Sequence, residues 1–251
     1  MKGRETIFSK IVGYPEIVYI FGESWLQSQK ENYYFPFLNS RLTELSIAVS
    51  KVKEKKIKGY CEWVSNITSF PKEFESFEFE ILEISRLTDI AESIEIYPSI
   101  EKDAFGYEAH PELKMVRHGI EFYIEMTKFR KASNPKKKIQ KLIREKGIKK
   151  IPKDSSGFIF VDISDITIRE TIHDVEINDD YLINEVEQFL TKKHDKILGI
   201  LFVISYLSAN DSYQVILINR YCPIINRFNK LGLSKDDLEQ LIFSDSFLKP
   251  I

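Results

Sequence analysis

Pro111-Glu112 stands thirteen residues before Glu125-Met126-Thr127, and these two stretches hold the residue types best suited to chemistry together. They read as a Pro-acid step, a short strand, a glycine turn, a second strand and an acid-x-Thr step. Two carboxylates at adjoining hairpin ends offer the clustered oxygen ligands that a hard cation such as Mg2+ requires. Such an ion can activate water to attack a phosphodiester.

The hairpin that must position them is legible. Leu113 to Val116 and Ile120 to Thr127 read as strands around Arg117-His118-Gly119. Strand side chains alternate, so Phe122, Ile124 and Met126 point one way and Tyr123, Glu125 and Thr127 the other. An acid on so apolar a strand needs a partner, because an unpaired buried carboxylate is costly. Glu112 lies at the entry of the first strand, beside the exit of the second, so the two acids can converge.

Around the hairpin the pattern gives a helix over 72–93, on which Phe74, Phe77, Ile81, Ile84, Thr88 and Ala91 recur at helical spacing. A short strand over Ile94 to Tyr97 follows it. After the hairpin, residues 134–146 form a basic helix, opened by Ser133 or Asn134 with Pro135 in its first turn and ended by Gly147. Strands over Gly157 to Ile163, Ile197 to Tyr206 and Tyr213 to Asn219 follow, with a helix over Tyr181 to Lys193 between the first two. The last helix, Ser234 to Phe243, carries a weak capping box of Ser234 and Asp237. Upstream, the first seventy residues read as mainly helical, with a helix from Asn39-Ser40 through Val52 and a short apolar run, Ile17 to Phe21, that could be a strand. The middle strands are apolar at nearly every position, as strands buried on both faces are. The expectation is an α/β fold, a mixed central sheet flanked by helices.

The 251 residues suffice for one large domain or a domain with an appendage. Apolar residues make up 43% and the mean hydropathy is -0.23. No run approaches the ~18 apolar residues of a membrane span. No signal peptide is read in residues 1–10, and Cys61 and Cys222 are too few for a disulfide framework or a zinc site. A reducing, cytoplasmic setting is therefore expected. The net charge is only -2, but it is unevenly spread. Residues 128–153 hold twelve Lys/Arg and one acid, whereas 73–102 hold nine acids and two bases. A basic helix beside an acidic segment suits a phosphate-binding face next to a metal-binding face, although charge runs also simply face solvent.

Taken together, residues 72–220 resemble the PD-(D/E)XK superfamily, which includes restriction endonucleases. Pro111-Glu112 matches its Pro-Asp element and Glu125-Met126-Thr127 its acid-x-Lys element. The resemblance implies a Mg2+- or Mn2+-dependent endonuclease cutting DNA, with a restriction-endonuclease-like core over 71–220, a mainly helical extension over 1–70 and a helical tail over 221–251. It implies that Glu112 and Glu125 bind metal and that an acid of the preceding helix adds a ligand. Glu80 lies nearer the apolar stripe than Glu83 and is preferred. Two departures stand out: Glu112 replaces Asp, and Thr127 replaces the lysine that would stabilise developing charge. Some members look to have moved that lysine to the next helix. Lys136 is the expected substitute, with Gln140 beside it at i, i+4. Lys128, Arg130, Lys131, Lys137, Lys138 and Lys141 are the expected nucleic-acid contacts, DNA before RNA, with no membrane and with a homodimer admissible. The alternative is an inactive protein of the same fold that binds nucleic acid or a protein partner. A competing register would take Asp103 as the first acid.

Among the remaining residues, His110 beside Pro111 could lie near the metal, His118 is a turn residue, and Asp162 could bond a neighbouring loop. Asp174, Glu176, Asp179 and Asp180 lack calcium-loop spacing. Tyr33-Tyr34-Phe35-Pro36-Phe37 could stack on bases or pack at a junction.

Overall fold

The computed structural model describes residues 15–32, 35–69, 74–100, 109–129, 135–162, 196–209, 214–221 and 233–243. Four helices lead: α1 (Pro15–Asn32), α2 (Phe35–Glu54), α3 (Tyr60–Ser69) and α4 (Phe74–Leu87). Then come β1 (Ser93–Ile96), β2 (Leu113–Arg117), β3 (Ile120–Lys128), α5 (Pro135–Leu142), β4 (Gly157–Asp162), β5 (Ile197–Ala209), β6 (Gln214–Tyr221) and α6 (Lys235–Phe243). The strands form one six-stranded sheet in sequential order. β1, β2 and β3 are antiparallel neighbours, β4 runs parallel to both β3 and β5, and β6 returns antiparallel to β5. The chain is thus an α/β protein with a mixed sheet flanked by helices. Every residue of β4 is buried, as its central, parallel position requires.

The β2–β3 turn is His118-Gly119, both with positive φ (51° and 70°), the two-residue geometry that matches strand twist. The hairpin is tied to α6 by Arg117, whose guanidinium donates to Asp237 Oδ1 (2.8 Å) and Gln240 Oε1 (2.7 Å). The capping box of α6 is present: Asp237 accepts from the Ser234 N–H and hydroxyl, and Ser234 Oγ accepts from the Asp237 N–H.

Three expectations are corrected. Ile17 to Phe21 is helical, not a strand. Ile17, Ile20 and Phe21 are buried at i, i+3 and i+4, the helical period, and α1 is interrupted only at Gly22 (φ 79°, ψ 160°). The helix expected over 72–93 stops at Leu87, and the segment after it turns into β1. The helix expected to end at Gly147 runs on: α5 continues as a π-helical segment, Ile143–Ile148, and stays helical through Lys150. Gly147 acts there by lacking a side chain, not by stopping the helix. A Cβ at Gly147 would lie 2.5 Å from Ile197 Cδ1 and 2.9 Å from Ile159 Cδ1, so any side chain here would push those packed methyl ends of β4 and β5 aside.

The N-terminal helices are not a separate appendage. Ile17, Leu42, Leu45, Val49 and Trp63 share one continuous apolar core with Phe77, Ile81 and Ile84 of α4 and with Phe122, Ile124, Phe158 and Phe160 of the sheet. Asp103, the helix expected over 181–193, the acidic residues 174–180 and Cys222 lie outside the described residues. No helix among the described residues is long and apolar enough to cross a membrane.

Candidate functional site

The hairpin register sets Leu113 opposite Ile124, so Glu112 and Glu125, one step further out, face each other across the two strands. Their contacts are reciprocal. The Glu112 N–H donates to Glu125 Oε1 (2.9 Å), and the Met126 N–H donates to Glu112 Oε2 (2.5 Å). Each carboxylate thus accepts from the backbone of the other strand, which fixes both side chains where the β2–β3 ladder ends.

Two lysines close the site. Lys146 Nζ lies 2.6 Å from Glu112 Oε1 and 3.8 Å from Glu125 Oε2. Lys150 Nζ lies 3.1 Å from Glu112 Oε1 and 3.3 Å from Glu125 Oε2. One amine touching both carboxylates means that the acids stand no further apart than those two contacts laid end to end. The lysines come from the π-helical segment and the residues just after it. There the Lys149 N–H bonds Arg144 O, five residues back. Lys196 anchors the end of this helix, its amine donating to Ile151 O (2.6 Å) and to Ile148 O. A cation at these carbonyls also suits the negative end of the helix dipole.

Glu80 of α4 approaches from the apolar core. Its Oε2 accepts from the Trp63 indole N–H (3.1 Å), and Glu80, Glu112 and Lys150 line one cleft of about 500 Å3. Glu83, one turn on, is committed elsewhere, to Arg86 (2.7 Å).

The three acids differ in charge. Burial would raise Glu112, but Lys146, Lys150 and the Met126 N–H outweigh it and hold its carboxyl below the usual range. Glu125 is fully buried, and burial, then the negative charge of Glu112, push its carboxyl well above 4.5. Burial and Glu112 also push Glu80 up to about 8. Lys150 loses something to burial, but Glu112 and Glu125 raise it further, so it stays cationic. Glu112 is thus held ionised beside a charged Lys150, whereas burial and the charge of Glu112 disfavour ionisation of Glu125 and Glu80. Glu125 Oε2 is a buried acceptor without a hydrogen bond.

Of the residues expected from sequence, Glu112, Glu125 and Glu80 come together. The amines come from Lys146 and Lys150, not from the first turn of α5. The side chain of Lys136 lies outside the described residues, and Gln140 is half-buried. Lys128 faces Asp162 (3.8 Å), and Lys138 lies over the Phe129 ring (4.7 Å to its centroid). Lys137 and Lys141 are exposed, and Arg130 and Lys131 lie outside the described residues. His110 is an exposed residue at the cleft mouth. The signal for the missed lysines is the i, i+4 spacing of Lys146 and Lys150 on a face shared with Ile143 and Gly147, both buried.

A divalent ion can be tested against these donors. Mg2+ keeps several waters and needs only one or two protein carboxylates, with substrate phosphate completing its shell. Glu112 and Glu125 supply two such carboxyl groups, although each already faces Lys146 and Lys150, which an ion would have to displace in part. Among the described residues no cluster of three or more His, Cys, Asp or Glu side chains has the geometry to hold a metal by itself. Comparison of the chain with family models, curated proteins and solved structures gives no match.

Proposed function

We propose that the chain is a divalent-metal-dependent nuclease that hydrolyses DNA, built on a restriction-endonuclease-like core. One observation carries this reading: two acids facing each other across a hairpin converge on amines from the helix that follows the second acid. That is where a lysine missing from position 127 would be resupplied. The order α4, β1, β2, β3, α5, β4 also accords with the core expected from sequence.

In this reading Glu112 and Glu125 hold Mg2+, with Glu80 beside them in the cleft. The bound ion supplies Lewis-acid polarisation of the phosphate and a more acidic water. Lys150, touching both acids, stands where it can stabilise the charge that develops on the phosphoryl oxygens. Lys146 holds Glu112 ionised and oriented. The exposed Lys137, Lys141 and Arg144 continue the positive surface along the same helix and suit the phosphates of a longer strand. The test is nicking of plasmid DNA and of single-stranded DNA with Mg2+ or Mn2+. Wild type should cut, and Glu112→Gln should lose at least about a hundredfold in rate. Absence of cutting under every metal and substrate would overturn the assignment.

A second reading is an inactive protein of the same fold that binds nucleic acid or a protein. It is favoured by the saturation of Glu112, whose two oxygens are occupied by two lysines and the Met126 N–H. It predicts that Mn2+ leaves the melting temperature unchanged.

A further inference from the structure

The cleft that opens onto Glu112 and Lys150 is lined by two chemically different sets of residues. One set is the Lys150 amine and the Glu112 carboxylate. The other is Tyr97, Pro98, Ile100 and the largely buried Phe77, with Asn66 of α3 and Glu80 of α4 as polar groups. The cleft's volume, about 500 Å3, is that of a site for one small organic group. Apart from Lys150 its lining carries no lysine or arginine, and Glu62 also belongs to it, so a phosphate is favoured only beside Lys150. The rest of the lining offers the Tyr97 ring and a few hydrogen-bonding groups.

Tyr97 is held there at a cost. Its φ of 50° lies in the left-handed region, which a bulky residue enters only when its surroundings fix it. Two contacts do so. The Tyr97 N–H donates to Glu112 O (2.9 Å), and its phenol is hydrogen-bonded to Asn66. The strained residue is therefore tied both to the backbone of Glu112, just before β2, and to Asn66 of α3. Strain of this kind tends to gather at ligand sites.

We infer that this cleft seats one nucleobase, next to a phosphate held at Glu112 and Lys150, so that the substrate is a strand with an unpaired nucleotide at the cut. The inference rests on the nuclease reading for the position of the phosphate. A base offers a flat face to the half-buried Tyr97 ring, and N–H donors and ring acceptors to Glu80 and Asn66. A base within a duplex cannot enter, because its edge is paired and its faces are stacked. It must be single-stranded already or be turned out of the helix.

The experiment is fluorescence titration of a short single-stranded oligonucleotide carrying one 2-aminopurine, against the matching blunt duplex. Ca2+ replaces Mg2+ so that nothing is cut. The single strand should bind roughly tenfold tighter than the duplex, with quenching of the reporter as it stacks. Asn66→Trp and Ser99→Trp, which fill the cleft from two sides, should each lose that preference and the quenching. Ser99 is exposed, so its variant folds even if the Asn66 variant does not. Equal binding of both strands, or filled-cleft variants that still prefer and quench the single strand, would overturn the inference. The two readings fail separately. Full-rate cutting by the filled-cleft variants sinks the base seat and leaves the nuclease standing. Base-dependent binding without metal-dependent cutting retains the seat and removes the nuclease.

Discussion

Replacing Glu125 by glutamine separates what this residue does for the fold from what it does for the site. The side chain is fully buried, one oxygen accepts the Glu112 N–H and the other accepts no hydrogen bond. Burial, with Glu112 adding to it, raises the folded-state pKa well above 4.5. The group therefore folds with a proton that the unfolded chain releases. A raised acid stabilises fully below its unfolded pKa and loses that contribution as pH rises toward its folded value. Glutamine keeps the shape and the bond from Glu112 but has no proton to lose. Between about pH 5 and pH 7 the variant should gain on the wild type as pH rises, by at most about 1.36 kcal/mol for each pH unit. For a chain of this size each such unit is a relative rise in melting temperature of at most roughly 3–5 °C. The assay is urea or thermal unfolding of both proteins across that range, with chelator present so that no metal competes. Parallel stability curves, or a variant that is less stable at neutral pH, would refute the charge assignment. A more stable but inactive variant is what a site that holds an acid in unfavourable surroundings should give.

Other variants probe the supports of the site. Gly147→Ala should destabilise by roughly 1–3 kcal/mol in urea, because its Cβ meets the side-chain ends of Ile197 and Ile159 at under 3 Å and overpacks the contact of this helix with the sheet. Lys150→Met should reduce cleavage about 10²–10³-fold while folding is retained, as judged by circular dichroism. Asp237→Asn should weaken the link from hairpin to α6 by about 1–3 kcal/mol at neutral pH. Ser234, Arg117 and His118 together overcome burial and hold the Asp237 carboxyl below its ordinary 3.8. Its contribution is therefore lost as pH falls below that value, and the variant should show a shallower acid-unfolding curve.

How much of this was legible in the sequence follows from where local pattern dominates. The β2–β3 hairpin could be read because strict alternation, a two-residue turn and an out-of-place acid at Glu125 all agree. The same alternation made the convergence of Glu112 and Glu125 foreseeable. The lysines were hidden by Gly147. A glycine after a helical run ordinarily stops it, yet here tertiary packing against Ile159 and Ile197 decides, and the π-helical segment carries Lys146 and Lys150 to the acids. Ile17 to Phe21 shows the limit of short apolar runs: five residues fit a strand or a helix equally, and only burial against the common core chooses. The cleft wall was beyond reach, because Asn66, Phe77 and Tyr97 come from three separate elements.

Titration of Mn2+ into the metal-free protein, followed by the loss of its free-ion paramagnetic resonance signal, tests the central claim most directly. The account predicts a bound ion that is lost in both Glu112→Gln and Glu125→Gln. Its affinity should rise with pH, since Glu125 must give up a proton to bind. An absence of bound Mn2+ at any pH, or binding that survives both substitutions, would contradict it.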